Sequence, residues 1–253
     1  MPGTITKLVA IPGNINVGVD SAKQATMLGL MGNPRENYDQ VCREVTNQKL
    51  KAQIELANVG PFRVQGFKPA VASLRDILAE VAVTQPDVHA SLGTQGMVCA
   101  RLVRGTTSNG ISNHSWGTAI DLTLDGVLDT RGDNLVQEGL TRIFPIFNRH
   151  GWFWGAGFRT EDAMHFEAGD ALIRKWNAAP GMAAAVTEVL ISMGDRGPDV
   201  LALQRRLNKL GATLAEDGDF GNGTRAAVTA FQGANGLRPD GVVDSKTRAA
   251  LGL

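Results

Sequence analysis

A short internal repeat near the C-terminus constrains the fold more than any other feature of this sequence. Residues 217–228 read DGDFGNGTRAAV and align without gaps with residues 240–251, which read DGVVDSKTRAAL. Each copy begins with an Asp-Gly turn and continues into a Thr-Arg-Ala-Ala helix start. Residues 199–210, which precede the first copy, place apolar residues at helical spacing. The pattern predicts a small three-helix domain whose core contains Leu203, Leu207, Val228, Phe231 and Leu251.

A change in composition separates this repeat from the rest of the chain. Residues 177–186 read NAAPGMAAAV, in which a Pro-Gly pair ends the preceding pattern and small residues dominate. At 253 residues the chain has the length of two domains. We therefore predict a first domain over residues 1–178, a linker over 179–188 and a second domain over 189–253. Residues 1–60 are a poorly assigned extension of the first domain.

The first domain shows an α+β pattern, in which helices are followed by several short strands. The clearest element is an amphipathic helix over residues 68–83, which has a proline near its start and apolar residues on one face. Residues 37–57 and 135–149 also read as helices. Short apolar segments predict strands over residues 97–103, 118–124 and 152–154. The expected architecture is a small antiparallel sheet with flanking helices.

Composition and charge argue against several classes of protein. The 25 Lys and Arg residues balance the 25 Asp and Glu residues, so no net charge attracts nucleic acid or an anionic membrane. The N-terminus has no apolar stretch long enough for a signal-peptide core, and no segment approaches the roughly 18 apolar residues that span a bilayer. We expect a monomer that is synthesised in the cytoplasm without a signal peptide and has no nucleic-acid or membrane partner.

The cysteine content gives little support for a disulfide framework. The two cysteines, Cys42 and Cys99, could form one disulfide, but two cysteines do not define a disulfide framework. Because buried thiols behave as small apolar side chains, we expect both cysteines to be free and buried.

Two short segments contain the residues that point to chemistry. Residues 112–121 read SNHSWGTAID and residues 162–167 read DAMHFE. Together they supply two imidazoles and one carboxylate, from His114, Asp121 and His165. Such a set suits zinc held by three protein ligands with a fourth position open for water, as in catalytic zinc sites. On spacing alone, a metal site and a set of structural side chains are about equally good interpretations.

A zinc site that activates water for hydrolysis also needs a base that takes a proton from that water and returns it to the leaving group. Asp162, three residues before His165, is the first choice. Glu167 alternates with His165 along a strand, and is either the second choice or an orienting partner of that histidine. Glu161 is the third choice and is expected to be solvated. Among the aromatic residues, Trp116 is the one that we expect to contact substrate.

The same segments resemble the signature of a known family. Residues 112–121 match the pattern SxHxxGxAxD, and residues 154–167 resemble the WGG…DxMHFE block that follows it. These motifs are typical of the zinc D-Ala-D-Ala carboxypeptidase and L-alanyl-D-glutamate endopeptidase family, which includes VanX- and VanY-like enzymes. The resemblance, which extends over about Phe67 to Gly169, implies zinc as the cofactor. It implies the three ligands His114, Asp121 and His165, with Asp162 as the general base.

The resemblance also implies an arginine on the segment before the first motif. In the family this arginine stabilises the substrate carbonyl or carboxylate as charge develops. Residues 97–105 offer two choices, of which Arg101 is preferred and Arg104 is the alternative. One departure from the family pattern is that Ala156-Gly157-Phe158 stands where relatives have a second glycine and then a tryptophan. This departure alters a pocket wall and therefore bears on substrate preference.

The C-terminal repeat resembles the peptidoglycan-binding domain of bacterial and phage wall hydrolases, in segments such as residues 217–221 and 235–241. Such a domain holds an enzyme on an insoluble polymer. Together the resemblances imply an endolysin-like zinc peptidase that hydrolyses the stem peptide of bacterial peptidoglycan, with the L-alanyl-D-glutamate bond as the expected target. The alternatives are a D-Ala-D-Ala carboxypeptidase and, less favoured, a non-catalytic wall-binding protein. The expected place of action is the cell wall, after release of the phage type.

Overall fold

The computed structural model describes residues 5–104, 110–178 and 191–253. The predicted linker, residues 179–188, lies outside the described residues. The described part of the chain forms two compact units. The first unit contains residues 5–22, 33–104 and 111–178, and the second contains residues 23–32, 110 and 191–253.

Within these residues the chain forms helices and short strands. The helices are α1 (Gln24–Met31), α2 (Gln48–Lys51), α3 (Lys68–Thr84), α4 (Pro86–Ser91), α5 (Glu138–Arg149), α6 (Asp170–Ala178), α7 (Pro198–Lys209), α8 (Asn222–Ala234) and α9 (Ser245–Leu251). The strands are β1 (Leu8–Ala10), β2 (Ile54–Asn58), β3 (Arg63–Phe67), β4 (Leu92–Gly96), β5 (Ala119–Leu124), β6 (Leu135–Gln137), β7 (Trp152–Trp154) and β8 (His165–Ala168). Of the helices described, none is both long enough and apolar enough to cross a membrane.

The main sheet of the first unit has four antiparallel strands in the order β4-β5-β8-β7. Two smaller antiparallel pairs, β1-β6 and β2-β3, accompany it. On β5 and β8, Asp121 lies directly opposite His165 and Ala119 lies opposite Glu167. Because side chains alternate between the two faces of a strand, these positions share one face of the sheet. The α+β class and the small antiparallel sheet are therefore confirmed.

Helices α3 and α5 enclose the apolar core of this unit. The prediction for residues 68–83 is confirmed by α3, whose buried face contains Ala70, Val71, Leu74, Ile77, Leu78 and Val81. From α5, the ring of Phe144 stacks on Trp154 of β7 with centroids 4.8 Å apart, and Phe147 contacts Phe166 of β8 at 4.2 Å. Aromatic contacts of this kind add to the burial of apolar area. They fix the two strands that precede and carry the second sequence motif.

Three of the predicted elements differ from the structure. The helix predicted over 37–57 is wrong, because β2 pairs along its whole length with β3 and only the four residues of α2 are helical. The helix predicted over 135–149 begins three residues later, because Leu135–Gln137 pairs with β1. The strand predicted over 97–103 is replaced by isolated bridges of Ala100 and Leu102, after the regular strand β4. In the first two cases pairing with another strand overrides the local pattern.

The expectation of two free, buried cysteines is wrong. Cys42 and Cys99 form a disulfide, with their Cα atoms 5.0 Å apart. The neighbouring residues Arg43 and Ala100 exchange two backbone hydrogen bonds of 3.1 and 3.0 Å, which hold the two segments side by side. Cys42 is exposed and Cys99 is only partly buried. Spacing of 57 residues along the chain gave no indication of this contact.

The C-terminal part of the second unit forms the three-helix arrangement that the repeat predicts. Helices α7, α8 and α9 surround a core that includes Leu203, Leu207, Val228 and Leu251, as expected. Phe231, the fifth core residue predicted, is only partly buried and packs against this cluster. Phe220 and Val243, which occupy equivalent positions in the two repeat copies, are both fully buried.

Each repeat copy is closed by a buried glutamine from the preceding helix. Gln204 donates to Asp217 Oδ1 (2.8 Å), to Asp219 O and to Thr224 Oγ1, while its Oε1 accepts from Gly218 N (2.8 Å). Gln232 makes the same set of contacts with Asp240, Val242, Thr247 and Gly241 in the second copy. Both glutamines are 1% exposed, so the sequence repeat is also a repeat of buried hydrogen bonds.

Candidate metal centre

Three side chains from the two sequence motifs meet at one end of the main sheet. Asp121 on β5 and His165 on β8 are opposite each other in the strand register, and the hydrogen-bonding distance from His165 Nδ1 to Asp121 Oδ1 is 3.1 Å. His114 comes from a single 3₁₀ turn, Asn113–Trp116, that precedes β5. Its Nε2 lies 3.1 Å from Asp121 Oδ1 and 3.2 Å from His165 Nδ1. Among the described residues this is the one group of three such side chains close enough to hold a metal ion.

Gly117 allows the turn that carries His114 to join β5. Its φ angle is +69°, in the left-handed region that favours glycine. A Cβ atom at this position would lie 2.8 Å from the backbone nitrogen of Phe67, which is too close. The glycine of the first motif is therefore required by the backbone path, and through it by the position of His114.

The second nitrogen of each histidine is already bound, which fixes the direction of its lone pair. His114 Nδ1 is 3.0 Å from the backbone oxygen of Met97, an acceptor, so this nitrogen carries the hydrogen. His165 Nε2 is 3.0 Å from Glu167 Oε2 and donates to that carboxylate. Glu167 in turn accepts from the hydroxyl of Ser21. The remaining lone pairs, on His114 Nε2 and His165 Nδ1, point toward the Asp121 carboxylate.

This arrangement fits a divalent cation. Three acceptor atoms lie 3.1–3.2 Å from one another, and neutral histidines would place no hydrogen between them. Such a convergence is repulsive unless a positive charge lies at its centre. Two imidazoles and one carboxylate are a ligand set that suits zinc and leaves a coordination position open. The donor set is therefore compatible with the cofactor that the sequence predicts.

In the absence of a metal, a proton takes the place of the cation. Burial lowers the pKa of His165, but hydrogen bonds to Asp121 and Glu167 outweigh burial and raise that pKa to about 10. Burial alone would raise the pKa of Asp121, but His114 and His165 hold that pKa well below its usual range. A metal ion that binds here must displace this proton, so binding is expected to weaken as the pH falls.

Asp162 lies near the three side chains of this cluster, at the start of the turn that leads into β8. Its side chain is 22% exposed, and its Oδ2 is 3.2 Å from Nε of Arg131. The pKa of Asp162 is raised, first by burial and also by the charge of Asp121, while His165 and Arg131 oppose the increase. A carboxylate with a raised pKa in a partly open position is suited to accept a proton.

The two other carboxylates considered as the base are buried and accept hydrogen bonds from other groups. Glu167 is 3% exposed and is held by His165 and Ser21, as an orienting partner would be. Glu161 is 2% exposed and accepts backbone hydrogen bonds from Gly132 and Ala163, at 3.0 and 2.8 Å. The expectation that Glu161 is solvated is therefore wrong, because its carboxylate anchors two loop segments.

The Trp154-Gly155 pair of the second motif supports the turn that carries Asp162. Asp162 N donates to Gly155 O, and His165 N donates to Asp162 O, at 3.0 and 3.1 Å. A Cβ atom on residue 155 would collide with the Asp162 carbonyl oxygen. The indole of Trp154 donates to Ala163 O at 2.7 Å. These residues therefore determine where Asp162 and His165 stand relative to each other.

Arg101 and Arg104 lie on the segment that runs alongside the His114 turn. Arg101 N donates to Ser115 Oγ and Ser112 N donates to Arg101 O, at 3.1 and 3.0 Å. The pKa of Arg101 is lowered, first by burial and then by the charge of Arg104, while Asp121 and Asp162 oppose the decrease. Arg101 is half-buried and Arg104 is exposed. The Arg101 guanidinium is thus within electrostatic range of the ligand set.

The aromatic residues divide between core and site. Trp116 is completely buried, so the expectation that its ring contacts substrate is wrong. Phe158, at the position where the chain departs from the family pattern, is partly exposed and its ring lies 5.7 Å from the His165 ring, centroid to centroid. Phe158 also stacks on Phe153 at 5.1 Å. The altered segment therefore does form a wall next to the candidate metal centre.

Sequence analysis missed two residues of this site. Arg131 follows β5 in a loop outside both motifs, and Ser21 belongs to the N-terminal extension. Neither has a local signal, because a single arginine or serine in a polar segment is common. Only the folded chain brings Arg131 to Asp162, in the turn before β8, and Ser21 to Glu167, on β8.

Comparison with known proteins finds one family model that matches the segment with the candidate metal centre and another that matches the helical repeat. Residues 105–168 match a family model described as D-alanyl-D-alanine carboxypeptidase, and this range contains His114, Asp121, Asp162 and His165. Residues 196–251 match a family model described as a peptidoglycan binding domain. The resemblance that the motifs indicated is thereby confirmed: a peptidase-family segment and a peptidoglycan-binding segment occur in one chain.

Individual relatives match about a quarter of the chain. An uncharacterized protein of Kitasatospora aureofaciens is 42% identical over 69 residues, which are 26% of this chain and 58% of that protein. A Burkholderia AP3 phage endolysin is 47% identical, with 24% of each chain covered and a TM-score of 0.24. A fused Zn-dependent amidase/peptidase/peptidoglycan-binding protein of Clostridium acetobutylicum is 34% identical, with 25% and 29% covered and a TM-score of 0.25. These similarities concern one segment and not the fold of the whole chain.

Proposed function

We propose that this chain is a zinc-dependent peptidase that hydrolyses the stem peptide of bacterial peptidoglycan. The observation that carries the proposal is the convergence of His114 Nε2, Asp121 Oδ1 and His165 Nδ1, 3.1–3.2 Å apart, within the segment that matches a peptidase family. The peptidoglycan-binding match supports a polymeric substrate, because a tethered domain raises the local concentration of the bonds to be cut. The cell wall is accordingly the proposed place of action.

In this proposal His114, Asp121 and His165 would hold the ion, and Glu167 keeps His165 in the required orientation. When bound, zinc supplies Lewis-acid polarisation of the scissile carbonyl and of the attacking water. Asp162 accepts a proton from the water and returns it to the leaving nitrogen. Arg101 stabilises the negative charge that develops on the carbonyl oxygen. The raised pKa of Asp162 supports its role, since a more basic carboxylate takes the proton more readily.

Within this class, the L-alanyl-D-glutamate bond is the proposed target, as in endolysin-like enzymes. Cleavage of an internal bond by a tethered enzyme separates the stem peptide from the glycan and so opens the polymer. A D-Ala-D-Ala carboxypeptidase is the second candidate, and the description of the family model that matches residues 105–168 favours it. The two activities differ in their products, so a single assay separates them.

The test is mass spectrometry of the soluble products released from purified sacculi, with and without a metal chelator. Fragments with new D-Glu amino termini, absent with the chelator and restored by added zinc, are expected. Release of D-Ala alone would establish the carboxypeptidase instead. Binding to sacculi without any product, unchanged by the chelator, would overturn the assignment of a peptidase.

A further inference from the structure

Arg131 lies beside Asp162, in a loop that a buried carboxylate anchors. It lies in the loop between β5 and β6, where its Nε is 3.2 Å from Asp162 Oδ2 and its Nη1 donates to the backbone oxygen of Arg104 at 2.7 Å. The next residue, Gly132, donates to both the backbone and the side chain of Glu161, each at 3.0 Å. Because Glu161 is buried, the loop is anchored and Arg131 is not a freely moving surface side chain.

Two guanidinium groups, those of Arg101 and Arg131, lie near Asp162. Arg101 is within electrostatic range of Asp121, Asp162 and Arg131. Its Nε is buried without a hydrogen-bond partner, and within the described ranges it forms no ion pair with a carboxylate. In the proposed function Asp121 is committed to the metal, so Asp162 alone balances two guanidinium groups. A half-buried excess of this kind favours an anionic ligand.

The substrate of the proposed reaction supplies an anion close to the leaving nitrogen. In both bonds considered above, the residue on the leaving side has a free α-carboxylate, on the carbon attached to the leaving nitrogen. This holds for a C-terminal D-Ala, and for D-Glu that continues the chain through its γ-carboxyl group. Asp162 must reach that nitrogen to return a proton. Arg131, in contact with Asp162, therefore stands next to the position of the α-carboxylate.

We propose that Arg131 is a specificity-determining residue that binds this α-carboxylate and so selects a substrate with a free acid on the leaving residue. A guanidinium group matches the planar carboxylate with two parallel hydrogen bonds. Nη2 of Arg131 donates no hydrogen bond to the residues described, and its Nε forms an ion pair with Asp162 at 3.2 Å without a hydrogen bond, so the group retains donors for a ligand. The inference rests on the proposed function, since it names the substrate of that site.

The experiment compares two synthetic stem peptides that differ at a single group. Both contain L-Ala joined to D-Glu that continues through its γ-carboxyl, with the D-Glu α-position either a free carboxylate or a carboxamide. Wild-type protein is expected to prefer the acid by roughly 10- to 100-fold in kcat/KM, the size of a charge-assisted contact. In Arg131→Gln this preference disappears, because cleavage of the acid falls to the level of the amide. Arg131→Lys retains part of the preference, since it keeps the charge but not the fork.

The matched control is Arg142→Gln in α5. Arg142 is 28% exposed and Arg131 is 27% exposed, and each forms an ion pair with an aspartate, Asp87 in the case of Arg142. This control is expected to keep wild-type rates on both peptides. Zinc content and melting temperature of each variant show that the site and the fold are intact.

Failure of the inference and failure of the proposed function would give different results. Equal loss by Arg131→Gln on both peptides would overturn the inference and leave Arg131 as a positioning partner of Asp162. A wild-type protein that cleaves the two peptides equally well would also overturn it, while the proposed endopeptidase would stand. If zinc-loaded wild-type protein cleaves neither peptide, the endopeptidase assignment itself is wrong, and the inference fails with it.

Discussion

The chain contains two kinds of buried polar cluster, and their hydrogen-bond balances are opposite. In the C-terminal repeat, the amide of Gln204 donates to three acceptors and accepts from Gly218 N, and Gln232 repeats the arrangement. In the candidate metal centre, three acceptor atoms from His114, Asp121 and His165 face one another. The first cluster is complete by itself, whereas the second is balanced only when a proton or a metal ion lies at its centre.

The difference distinguishes buried polar groups that stabilise the fold from buried polar groups that bind a ligand or take part in a reaction. A buried polar group destabilises the fold unless it is partnered, so a balanced cluster contributes specificity and stability without a ligand. An unbalanced cluster is destabilising by itself and is expected only where a ligand or a reaction completes it. Conversely, the repeat that is most visible in the sequence belongs to the cluster that needs no ligand. The first three of the following predictions each test one side of this comparison, and the fourth concerns a buried carboxylate outside both clusters.

The largest effect is expected from removal of a proposed metal ligand. His114→Ala should lose bound zinc and reduce peptide hydrolysis by more than the roughly 10²–10³-fold that loss of one oxyanion donor costs. Metal analysis and a peptide assay measure the two losses. The control is His150→Ala, because His150 is hydrogen-bonded to Glu80 outside the centre and should keep both zinc and activity. Full zinc content in His114→Ala would contradict the ligand set.

A second prediction separates the proposed base from the orienting carboxylate. Asp162→Asn should retain zinc and lose roughly 10²–10⁴-fold in turnover, the range expected for a general base. Glu167→Gln should instead weaken zinc affinity by roughly 10- to 100-fold, because it loses the charge that holds His165. Zinc titration and kinetics at saturating zinc distinguish the two effects. A near-normal rate in Asp162→Asn would move the base to Glu167.

The balanced cluster is expected to respond in stability rather than in chemistry. Gln204→Ala should destabilise the C-terminal helices by at least about 2 kcal/mol, since it leaves Asp217, Thr224 and Gly218 N without their partner. Hydrogen exchange of α7 and α8 in the full chain measures this change. Hydrolysis of small soluble peptides should be unchanged, while action on sacculi should weaken.

The control for this variant is Asn235→Ala, an exposed amide at the end of α8, which should change stability by less than about 0.5 kcal/mol. If Gln204→Ala reduced hydrolysis of soluble peptides as strongly as action on sacculi, the C-terminal helices would have to contribute to the active site. The separation of roles between the two clusters would then be wrong.

The smallest effect concerns a buried carboxylate of the first unit that belongs to neither cluster. Burial, with a further contribution from Glu161, raises the pKa of Asp129 to about 6, while a hydrogen bond from Gln137 N opposes the increase. Because the folded state then binds more protons than the unfolded state, Asp129 contributes stability below about pH 4 that is lost as the pH rises to about 6. As the pH rises from about 4 to about 6, the free energy of unfolding of Asp129→Asn should therefore increase by about 1–3 kcal/mol relative to that of wild type.

Denaturant unfolding followed by tryptophan fluorescence measures this difference, since all four tryptophans lie in the first unit. Asp76→Asn, at an exposed position of α3, serves as the control and should show the same pH dependence as wild type. A constant difference between Asp129→Asn and wild type from pH 4 to 7 would show that Asp129 titrates normally.

Several features of the fold and site were predictable because their signals are local. Periodicity located α3 to within one residue, and the repeat located the C-terminal helices. The spacing of the two motifs identified every residue of the cluster that the structure brings together, although their roles as ligands remain a proposal. Glu167 as a partner of His165 followed from strand alternation and is confirmed by their 3.0 Å contact.

Other features required pairing with a second segment of the chain, which a local pattern does not contain. Residues 37–57 have a helical composition, but the last four of them belong to β2 and pair with β3. The Cys42–Cys99 disulfide depends on backbone pairing of Arg43 with Ala100. Trp116 stands within the motif next to the reactive residues, yet its ring is directed into the core.

By itself, the sequence determined the class of fold, the helical repeat and the residues for which chemical roles are proposed. These depend on side-chain type and on spacing along one segment. The tertiary structure alone decided the partners of those residues: Ser21 for Glu167, Met97 O for His114, and Arg131 for Asp162. Such partners are separated by 17 to 146 residues, and a single polar side chain at that separation carries no recognisable signal. The charge balance of the site, and with it the inferred selectivity, follows from these contacts.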